Sequence, residues 1–332
     1  MAREEEQKKF LQSQGLGDAN QVALAADASF RRYYRIELDE QSWVLMDAPP
    51  NRENVQQFIT IAKYLRAIGI NAPEIFGEDL KNGFLLIEDF GDQKFSTILK
   101  TSDHQQEAKL YEEAISLLVK LQKTFPPSWL PRYTTNILMR EVDLFIDWFW
   151  PIAKTTPISA SERKTYREAW SNVLLAIANQ KNVLVLRDFH VDNLMWLTGR
   201  KGIQQIGLLD FQDALSGPSI YDLVSLLEDV RRDVRTDLVH NLKERFCASQ
   251  KLEDKEFEYI YSTLTAQRNT KILGIFTRLW RRDGKNQYLD LLPRTWHLLD
   301  KSLKNPALAP LQQWFGEHFP ESSRALKPDG KL

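Results

Sequence analysis

Residues 183–197, VLVLRDFHVDNLMWL, join stretches with opposite structural preferences. The apolar runs at either end are typical of short buried strands. Between them stand an arginine, two aspartates, a histidine and an asparagine, which are costly to bury unless they are paired. A chain that places these groups between two buried strands must form a constrained polar turn there. This arrangement limits the possible folds and indicates a functional loop.

The first part of the chain has the pattern of an α+β unit. Residues 28–38 alternate apolar with polar side chains and precede SWVLMDAP (42–49), which predicts a β-hairpin. Residues 51–69 predict a helix with Asn51 as its N-cap. The segments APEIFGEDL and NGFLLIEDFG then predict a second hairpin. A charged and exposed helix is expected over residues 3–14.

After Gly91 the periodicity is mostly helical. Amphipathic helices are predicted over residues 104–124, 136–150, 160–180, 219–247, 253–277 and 286–302. Only residues 183–209 interrupt them, with the short strands VLVL, LMWL and IQQIGLLD. The predicted organisation is an N-terminal lobe of residues 1–90, a larger C-terminal lobe of residues 91–320 and a loose tail over residues 321–332.

Composition excludes several classes of protein. The chain has 332 residues, and its 44 Lys and Arg against 45 Asp and Glu give a net charge of −1, so neither nucleic acid nor a membrane surface is expected as a partner. Its single cysteine, Cys247, excludes an internal disulfide framework. The start, MAREEEQKKF, lacks the apolar core of a secretory signal, and a cytoplasmic location is expected. The oligomeric state is left open.

The polar turn fits the requirements of phosphoryl transfer, which needs an aligned nucleophile, metal ions and charge neutralisation. In the protein-kinase catalytic loop an Asp is followed five positions later by an Asn, and a metal-binding Asp follows at a strand end. Here Asp188 precedes Asn193 by five positions, and Asp210 follows a further strand. The order of elements therefore predicts an α+β, protein-kinase-like bilobal fold with a small β-rich N-lobe containing one helix and a larger, mainly helical C-lobe.

The segments VLVLRDFHVDNLMWL and GLLDFQDALSGPSIYDLVSLLED resemble the aminoglycoside phosphotransferase/choline kinase-like family of small-molecule kinases. The resemblance runs from about residue 24 to residue 300. Within the family the chain looks closest to the anomeric sugar kinases that phosphorylate N-acetylmuramate and N-acetylglucosamine in cell-wall recycling. ADASFRRYYRI, VLMDAPP, GINAPEI and LRDFHVDNLMWL carry that closer likeness.

The resemblance implies ATP and Mg²⁺ as cofactors and a role for each matched residue. Asp188 matches the catalytic Asp that accepts or orients the hydroxyl proton of the substrate. Asn193 and Asp210 match the metal ligands, and Asp222 matches an aspartate expected to hold the catalytic loop. The segment from Glu88 to Phe90 matches the connector whose backbone binds adenine.

Two departures from the family pattern concern charge. The loop usually has His-Gly before the catalytic Asp, whereas this chain has Leu186 and Arg187, and we include Arg187 in the catalytic set because it can pair with a carboxylate or the substrate. Met46 falls where the family carries a phosphate-binding Lys. Either the match of this strand to the family is out of register, or Arg31, Arg32 or Arg35 takes the place of that Lys. Ser29 is expected to contact the phosphates separately, through its hydroxyl and backbone N–H.

Acceptor contacts are predicted in two places. His190 and Asp192 lie within the catalytic loop, and Asp213 follows Asp210 by three residues. Asp147 and Trp148, in DLFIDWFWP, offer the carboxylate and aromatic face that sugar sites use, although a Trp-rich helix is also typical of a core.

Other readings of the sequence stay open. The same fold could phosphorylate a hydroxyl of an aminoglycoside, of choline or of homoserine. A pseudokinase with a binding role is motivated by Met46, but the intact Asp188, Asn193 and Asp210 argue against it.

Overall fold

The computed structural model describes residues 2–24, 30–178, 180–250 and 252–326. The chain forms two compact units: the first contains Met1–Leu117 and Asp188–Ala214, the second Leu118–Arg187 and Leu215–Leu332. The lobe boundary at residue 90 stays a prediction. Each of the two compact units is made of two separate stretches of sequence, so their limits do not correspond to a single boundary along the chain. No helix in the described part of the chain is long and apolar enough to cross a membrane.

A five-stranded antiparallel sheet forms the centre of the first unit, in the order β1-β2-β3-β5-β4. Its strands are β1 (Asn20–Ala23), β2 (Arg32–Leu38), β3 (Gln41–Asp47), β4 (Ile75–Asp79) and β5 (Phe84–Glu88). Both predicted hairpins, β2–β3 and β4–β5, are confirmed. Strand β1 was not predicted, because all four of its residues are exposed and show no alternation.

Helix α1 (Ala2–Ser13) packs against this sheet. Phe10 and Leu11 are buried, and the Phe10 ring stacks on Phe84 with centroids 5.8 Å apart. Arg3 hydrogen-bonds the Asp47 carboxylate and lies over the Phe84 ring. The helix is confirmed, but the expectation that it is exposed is wrong, because its two apolar residues cover the edge of a core that the charged pattern conceals.

Helix α2 (Val55–Ala67) crosses the same unit. Asn54 caps it by accepting a 3.2 Å hydrogen bond from the Gln57 N–H, so the predicted cap at Asn51 is wrong by three residues. Asn residues at both positions satisfy the preference for a cap, and the main-chain path decides between them. Phe58 on the buried face of α2 packs on Phe211, with centroids 4.9 Å apart.

The polar turn found in the sequence lies beside a short hairpin. Strands β7 (Leu194–Trp196) and β8 (Ile206–Leu208) pair antiparallel, as predicted. Asn71 holds this hairpin, because its backbone C=O accepts from Leu208 N–H at 2.8 Å and its side chain donates to the Gln204 C=O at 2.7 Å. The VLVL run forms β6 (Asn182–Val185) in the second unit, where it pairs with β9 (Leu215–Pro218).

Helices make up most of the remaining structure. They are α3 (Phe95–Ile98), α4 (His104–Gln122), α5 (Thr135–Leu144), α6 (Trp150–Ala153), α7 (Ala160–Ala178), α8 (Tyr221–Leu227), α9 (Thr236–Gln250), α10 (Asp254–Asp283), α11 (Leu292–Leu303) and α12 (Ala309–His318). The single helix predicted over residues 219–247 is wrong, since α8 and α9 are separate.

At the predicted tail, Arg324 donates to the Phe319 C=O at 2.8 Å, and residues 327–332 lie outside the described part.

A π-helix, Phe145–Phe149, follows α5 in the predicted helix of residues 136–150. Its wider turn places Phe145 and Phe149 in an aromatic core with Trp296 and Phe319. Gly274 in α10 allows this packing: a Cβ there would lie 2.4 Å from the carbonyl carbon of Leu144 and 2.6 Å from the Phe145 nitrogen. Backbone atoms at that distance must move.

We expect Gly274→Ala to lower the free energy of unfolding by about 2 kcal/mol and Tm by about 3 °C, because the added methyl group forces the π-helix away from α10. Gly316→Ala in α12 is the matched control, since no atom lies within 4 Å of an added Cβ there. Alanine in that helix should stabilise slightly. Thermal unfolding of the two variants measures the difference, and equal Tm values would contradict this account of Gly274.

Candidate active site

In the first unit, the β7–β8 hairpin brings together the three residues that the sequence predicts to act in the reaction, Asp188, Asn193 and Asp210. Asn193 ends a 3-10 turn and donates from its side-chain amide to the Asp188 carbonyl at 2.9 Å. The same amide nitrogen lies 3.5 Å from Oδ2 of Asp210, and the Asn193 carbonyl accepts from the Leu209 N–H. The loop residue and the strand-end residue therefore meet at one place, as the spacing predicted.

The local electrostatics favour a cation beside Asp210. Burial and, secondarily, the negative charge of Asp188 raise the pKa of the Asp210 carboxyl above its ordinary value. Gln212 donates to Oδ1 of Asp210 at 2.7 Å and stabilises the charged form. Asp210 also has a φ of 55°, in the left-handed region, which non-glycine residues adopt mainly where the surroundings or a function require it. Two neighbouring carboxylates of this kind attract a metal ion or an arginine.

Arg31 supplies such a charge. It is only 8% exposed; one guanidinium nitrogen lies 2.7 Å from Oε2 of Glu53 and another lies 3.7 Å from Oδ1 of Asp210. Met46, at the position of the expected Lys, is fully buried on β3 opposite Tyr33. Of the three arginines considered as its replacement, all of which the structure describes, Arg31 is the one that lies beside Asp210.

The other predicted phosphate contacts are placed differently. Arg35 is held by Asp89 and Asp92, with Nε 2.6 Å from Oδ2 of Asp89, and the hydrogen bonds that it donates to Asp92 and Asp89 raise its pKa. Arg32 is exposed at the start of β2. Ser29 lies outside the described residues.

The connector residues are firmly held. Glu88 receives hydrogen bonds from Arg200 at 2.9 Å and from Arg66 at 3.4 Å. The Phe90 ring lies against Gly207 of β8, where a Cβ would come within 2.7 Å of it. This close approach joins the connector to the hairpin that carries Asn193 and leads to Asp210.

In the second unit, Asp222 holds the backbone that leads to Asp188. Its carboxylate accepts from the N–H groups of Leu186 at 2.7 Å and Arg187 at 2.8 Å, which is the holding role expected for it. Arg187 has a φ of 71°, and its guanidinium donates to the Glu141 carboxylate. Arg187 and Asp210 are thus two of the four described non-glycine residues with positive φ.

The predicted acceptor residues have different environments. His190 is 6% exposed, and its ring nitrogen Nε2 lies 3.4 Å from the Asn193 amide nitrogen. Asp192 is half-buried, whereas Asp213 is exposed. In the second unit, Asp147 is exposed on the π-helix and bonds Arg163 at 2.9 Å, and Trp148 is half-buried.

Four polar residues at these places were not predicted: Glu53, Glu141, Gln212 and Lys271. Glu53 stands before a helix and is separated from Arg31 by two strands, so no local spacing relates them. Lys271 belongs to an uninterrupted polar stretch, QRNTK (267–271), in the buried middle of α10. That stretch is visible in the sequence and indicates an unusual buried environment.

The donors present suit Mg²⁺. No group of three or more His, Cys, Asp or Glu in the described ranges could hold a metal by itself. Mg²⁺ ordinarily uses one or two protein oxygen donors, with water and substrate phosphates completing its octahedron. Asp210 beside Asn193, with a second carboxylate nearby that raises the pKa of Asp210, provides such an incomplete set.

A five-stranded antiparallel sheet unit, a helical unit and the Asp188–Asn193–Asp210 arrangement define a protein with the protein-kinase-like fold, of the small-molecule phosphotransferase class. The model of the phosphotransferase enzyme family (APH) matches residues 20–258, and the chain belongs to this family. The predicted fold and enzyme class are confirmed.

Two relatives are similar to this chain over most of its length. An N-acetylmuramate/N-acetylglucosamine kinase of Caulobacter vibrioides is 32% identical over 97% of this chain and 98% of its own length. A kinase of the same name from Neisseria meningitidis is 35% identical over 86% and 87%.

Solved structures show the same fold at low identity. ADP-bound aminoglycoside phosphotransferase APH(2'')-Ib matches with a TM-score of 0.60 at 14% identity, over 91% of this chain and 98% of its own. Choline kinase LicA from Streptococcus pneumoniae matches with a TM-score of 0.62 at 11% identity, over 93% and 99%.

Proposed function

We infer that the protein is an ATP-dependent sugar kinase that phosphorylates the anomeric hydroxyl of N-acetylmuramate and N-acetylglucosamine in peptidoglycan recycling. The meeting of Asp188, Asn193 and Asp210 carries the reaction type. The full-length likeness to kinases named for these two sugars supports the choice of acceptor. The cytoplasmic location stays a prediction.

Each site residue has a defined task in this proposal. Asp188 accepts the proton of the anomeric hydroxyl as the hydroxyl oxygen bonds to the γ-phosphorus of ATP, and the bond from that phosphorus to the bridging oxygen breaks, so that ADP leaves. The amide oxygen of Asn193 and the carboxylate of Asp210 would hold Mg²⁺, which when bound would neutralise charge on the nucleotide phosphates. Gln212 and the loop backbone fix the direction of these donors.

Arg31 binds the phosphates in place of the lysine absent at Met46, with Glu53 orienting its guanidinium. A planar guanidinium grips phosphate oxygens in pairs, so it can replace an ammonium group there. Arg32 and Ser29 remain proposed as additional contacts. The backbone from Glu88 to Phe90 is proposed to bind adenine, and the packing of Phe90 on Gly207 gives it a rigid position.

The remaining assignments concern the acceptor. Asp192 and Asp213 follow Asp188 and Asp210 closely enough to contact the sugar, and we retain them, with Asp147 and Trp148, as proposed contacts. His190 is proposed to position Asn193, because its buried ring lies beside the Asn193 amide. Arg35 is proposed to hold the connector through Asp89 instead of binding phosphate.

Purified protein should release ADP with either amino sugar, only when Mg²⁺ is present, and the product should be a sugar 1-phosphate by ³¹P NMR. Turnover of kanamycin, choline or homoserine without turnover of the amino sugars would contradict the acceptor assignment. If no acceptor is phosphorylated and Mg-ATP causes no thermal shift, a pseudokinase role would replace the proposal.

A further inference from the structure

Arg187 has a backbone conformation that glycine adopts without penalty and an arginine does not. A side chain at a φ of 71° persists where its contacts outweigh the strain. Here the guanidinium reaches Glu141 on α5 and lies over the Tyr133 ring, 5.5 Å from its centroid. The contacts of the arginine side chain therefore explain why this position holds an arginine, although its main-chain conformation favours glycine.

Glu141 is the centre of a buried polar cluster, which we call the Glu141 cluster, formed with Tyr133, Arg187, Gln267 and Lys271. Lys271 Nζ lies 3.1 Å from Oε1 of Glu141, and Gln267 donates to Oε2 at 2.9 Å. Tyr133 donates its hydroxyl to the same carboxylate. One carboxylate is thus contacted by two cations, and these three charges sum to +1.

The carboxylate of Glu141 stays charged at neutral pH. Burial raises the pKa of the Glu141 carboxyl, but Lys271 and Arg187 outweigh this effect, and its pKa lies below the ordinary value. From Thr263 to Lys271 every residue of α10 is buried, and only Leu264 and Ala266 are apolar. Such a density of buried polar groups is costly for stability and is typical of a site that recognises a polar ligand.

The cluster reaches the surface at Arg187, whose side chain is 20% exposed. Arg187 directly precedes Asp188, the residue that receives the acceptor proton in the proposed function. A partly exposed guanidinium one residue from that position suits an acceptor with an anionic substituent. N-acetylmuramate carries a carboxylate on its lactyl ether, and N-acetylglucosamine lacks it.

We propose that Arg187 and Lys271, positioned by Glu141, bind the lactyl carboxylate of N-acetylmuramate and so favour this sugar over N-acetylglucosamine. This assignment rests on the proposed function. Arg187 supplies a two-pronged hydrogen bond to the carboxylate and Lys271 adds a point charge. Glu141 acts as a positioning residue, because it holds both cations without contacting the sugar itself.

The test compares kcat/KM for the two sugars in Arg187→Gly and Lys271→Met. Each variant should lower the ratio of kcat/KM for N-acetylmuramate to kcat/KM for N-acetylglucosamine by about 10- to 100-fold. This is the effect expected from the loss of one hydrogen bond to a charged group. Arg187→Gly removes the backbone strain as well as the charge, so relief of the strain should offset part of the stability lost with the Glu141 contact. Arg187→Lys should restore part of the ratio.

Two controls separate recognition from structure. Lys301→Met removes another lysine of the second unit, one that pairs with Glu228, and should leave the ratio unchanged. The methyl ester of N-acetylmuramate should be a poor substrate for the unaltered protein and equally poor for Arg187→Gly.

Equal losses with both sugars would overturn the assignment and make Arg187 a general contributor to turnover. Failure of the unaltered protein to phosphorylate either sugar would instead refute the proposed function, and with it this assignment.

Discussion

Asp188→Asn is expected to lower kcat with N-acetylmuramate about 1,000-fold while leaving the affinity for Mg-ATP within about twofold. Asparagine keeps the shape of the side chain but cannot accept a proton at neutral pH. The hydrogen bonds that shape the loop involve the main-chain carbonyl of Asp188, which accepts from Asn193 and from the His190 N–H, so they survive the substitution.

Steady-state ADP release and isothermal titration with a non-hydrolysable nucleotide measure the two quantities. Asp237→Asn is a suitable control, because this aspartate is 66% exposed on α9 and pairs only locally with Arg235. Retention of more than a tenth of the activity by Asp188→Asn would remove Asp188 from the role of base. Loss of nucleotide binding would show that the residue acts on the ATP site.

The metal and base residues could be predicted from the sequence because they are local. Asp188 and Asn193 share one turn, and Asp210 is brought to them by the hairpin of two adjacent strands, whose apolar pattern is readable. Antiparallel neighbours with a short connection have few alternative arrangements. The exact partner of β6 could not be read in this way, since β9 lies more than twenty residues further along and has only four residues.

Long-range contacts account for what the sequence left open. Three arginines between residues 31 and 35 were equivalent in the sequence, and only the packing of α2 against Phe211 brings Glu53 and Asp210 to Arg31. The Glu141 cluster depends likewise on the packing of α5 against α10, helices separated by more than a hundred residues. Periodicity reports the buried face of a helix but not the partner that the face meets.

The conformation of Arg187 shows a different limit. Its φ of 71° is a property of the turn that precedes Asp188 and is fixed by two hydrogen bonds to Asp222. The family pattern has glycine at this position, so the sequence shows Arg187 only as a departure from that pattern. The structure adds the reason, because it shows the carboxylate that the side chain reaches.

Arg31→Met should lower kcat/KM for Mg-ATP about 100-fold. The substitution removes a buried cation that contacts Glu53 and Asp210, and leaving such partners unpaired costs about 3 kcal/mol. Methionine keeps an unbranched side chain and removes the guanidinium, so the lost charge should dominate the effect. Arg31→Lys keeps the charge without the paired hydrogen bonds and should recover about a tenth of the activity.

Comparison of the three arginines decides which one replaces the lysine absent at Met46. Arg32→Met removes an exposed side chain, and Arg35→Met breaks the pair with Asp89, so both should lower kcat/KM less than Arg31→Met. Lys63→Met, on the exposed face of α2, serves as the unrelated control. A larger loss in Arg32→Met or Arg35→Met would mean that the phosphates lie along a different part of β2. A loss confined to Arg31→Met would follow directly from its position, since it alone of the three contacts the carboxylate of Asp210 that is proposed to hold the metal.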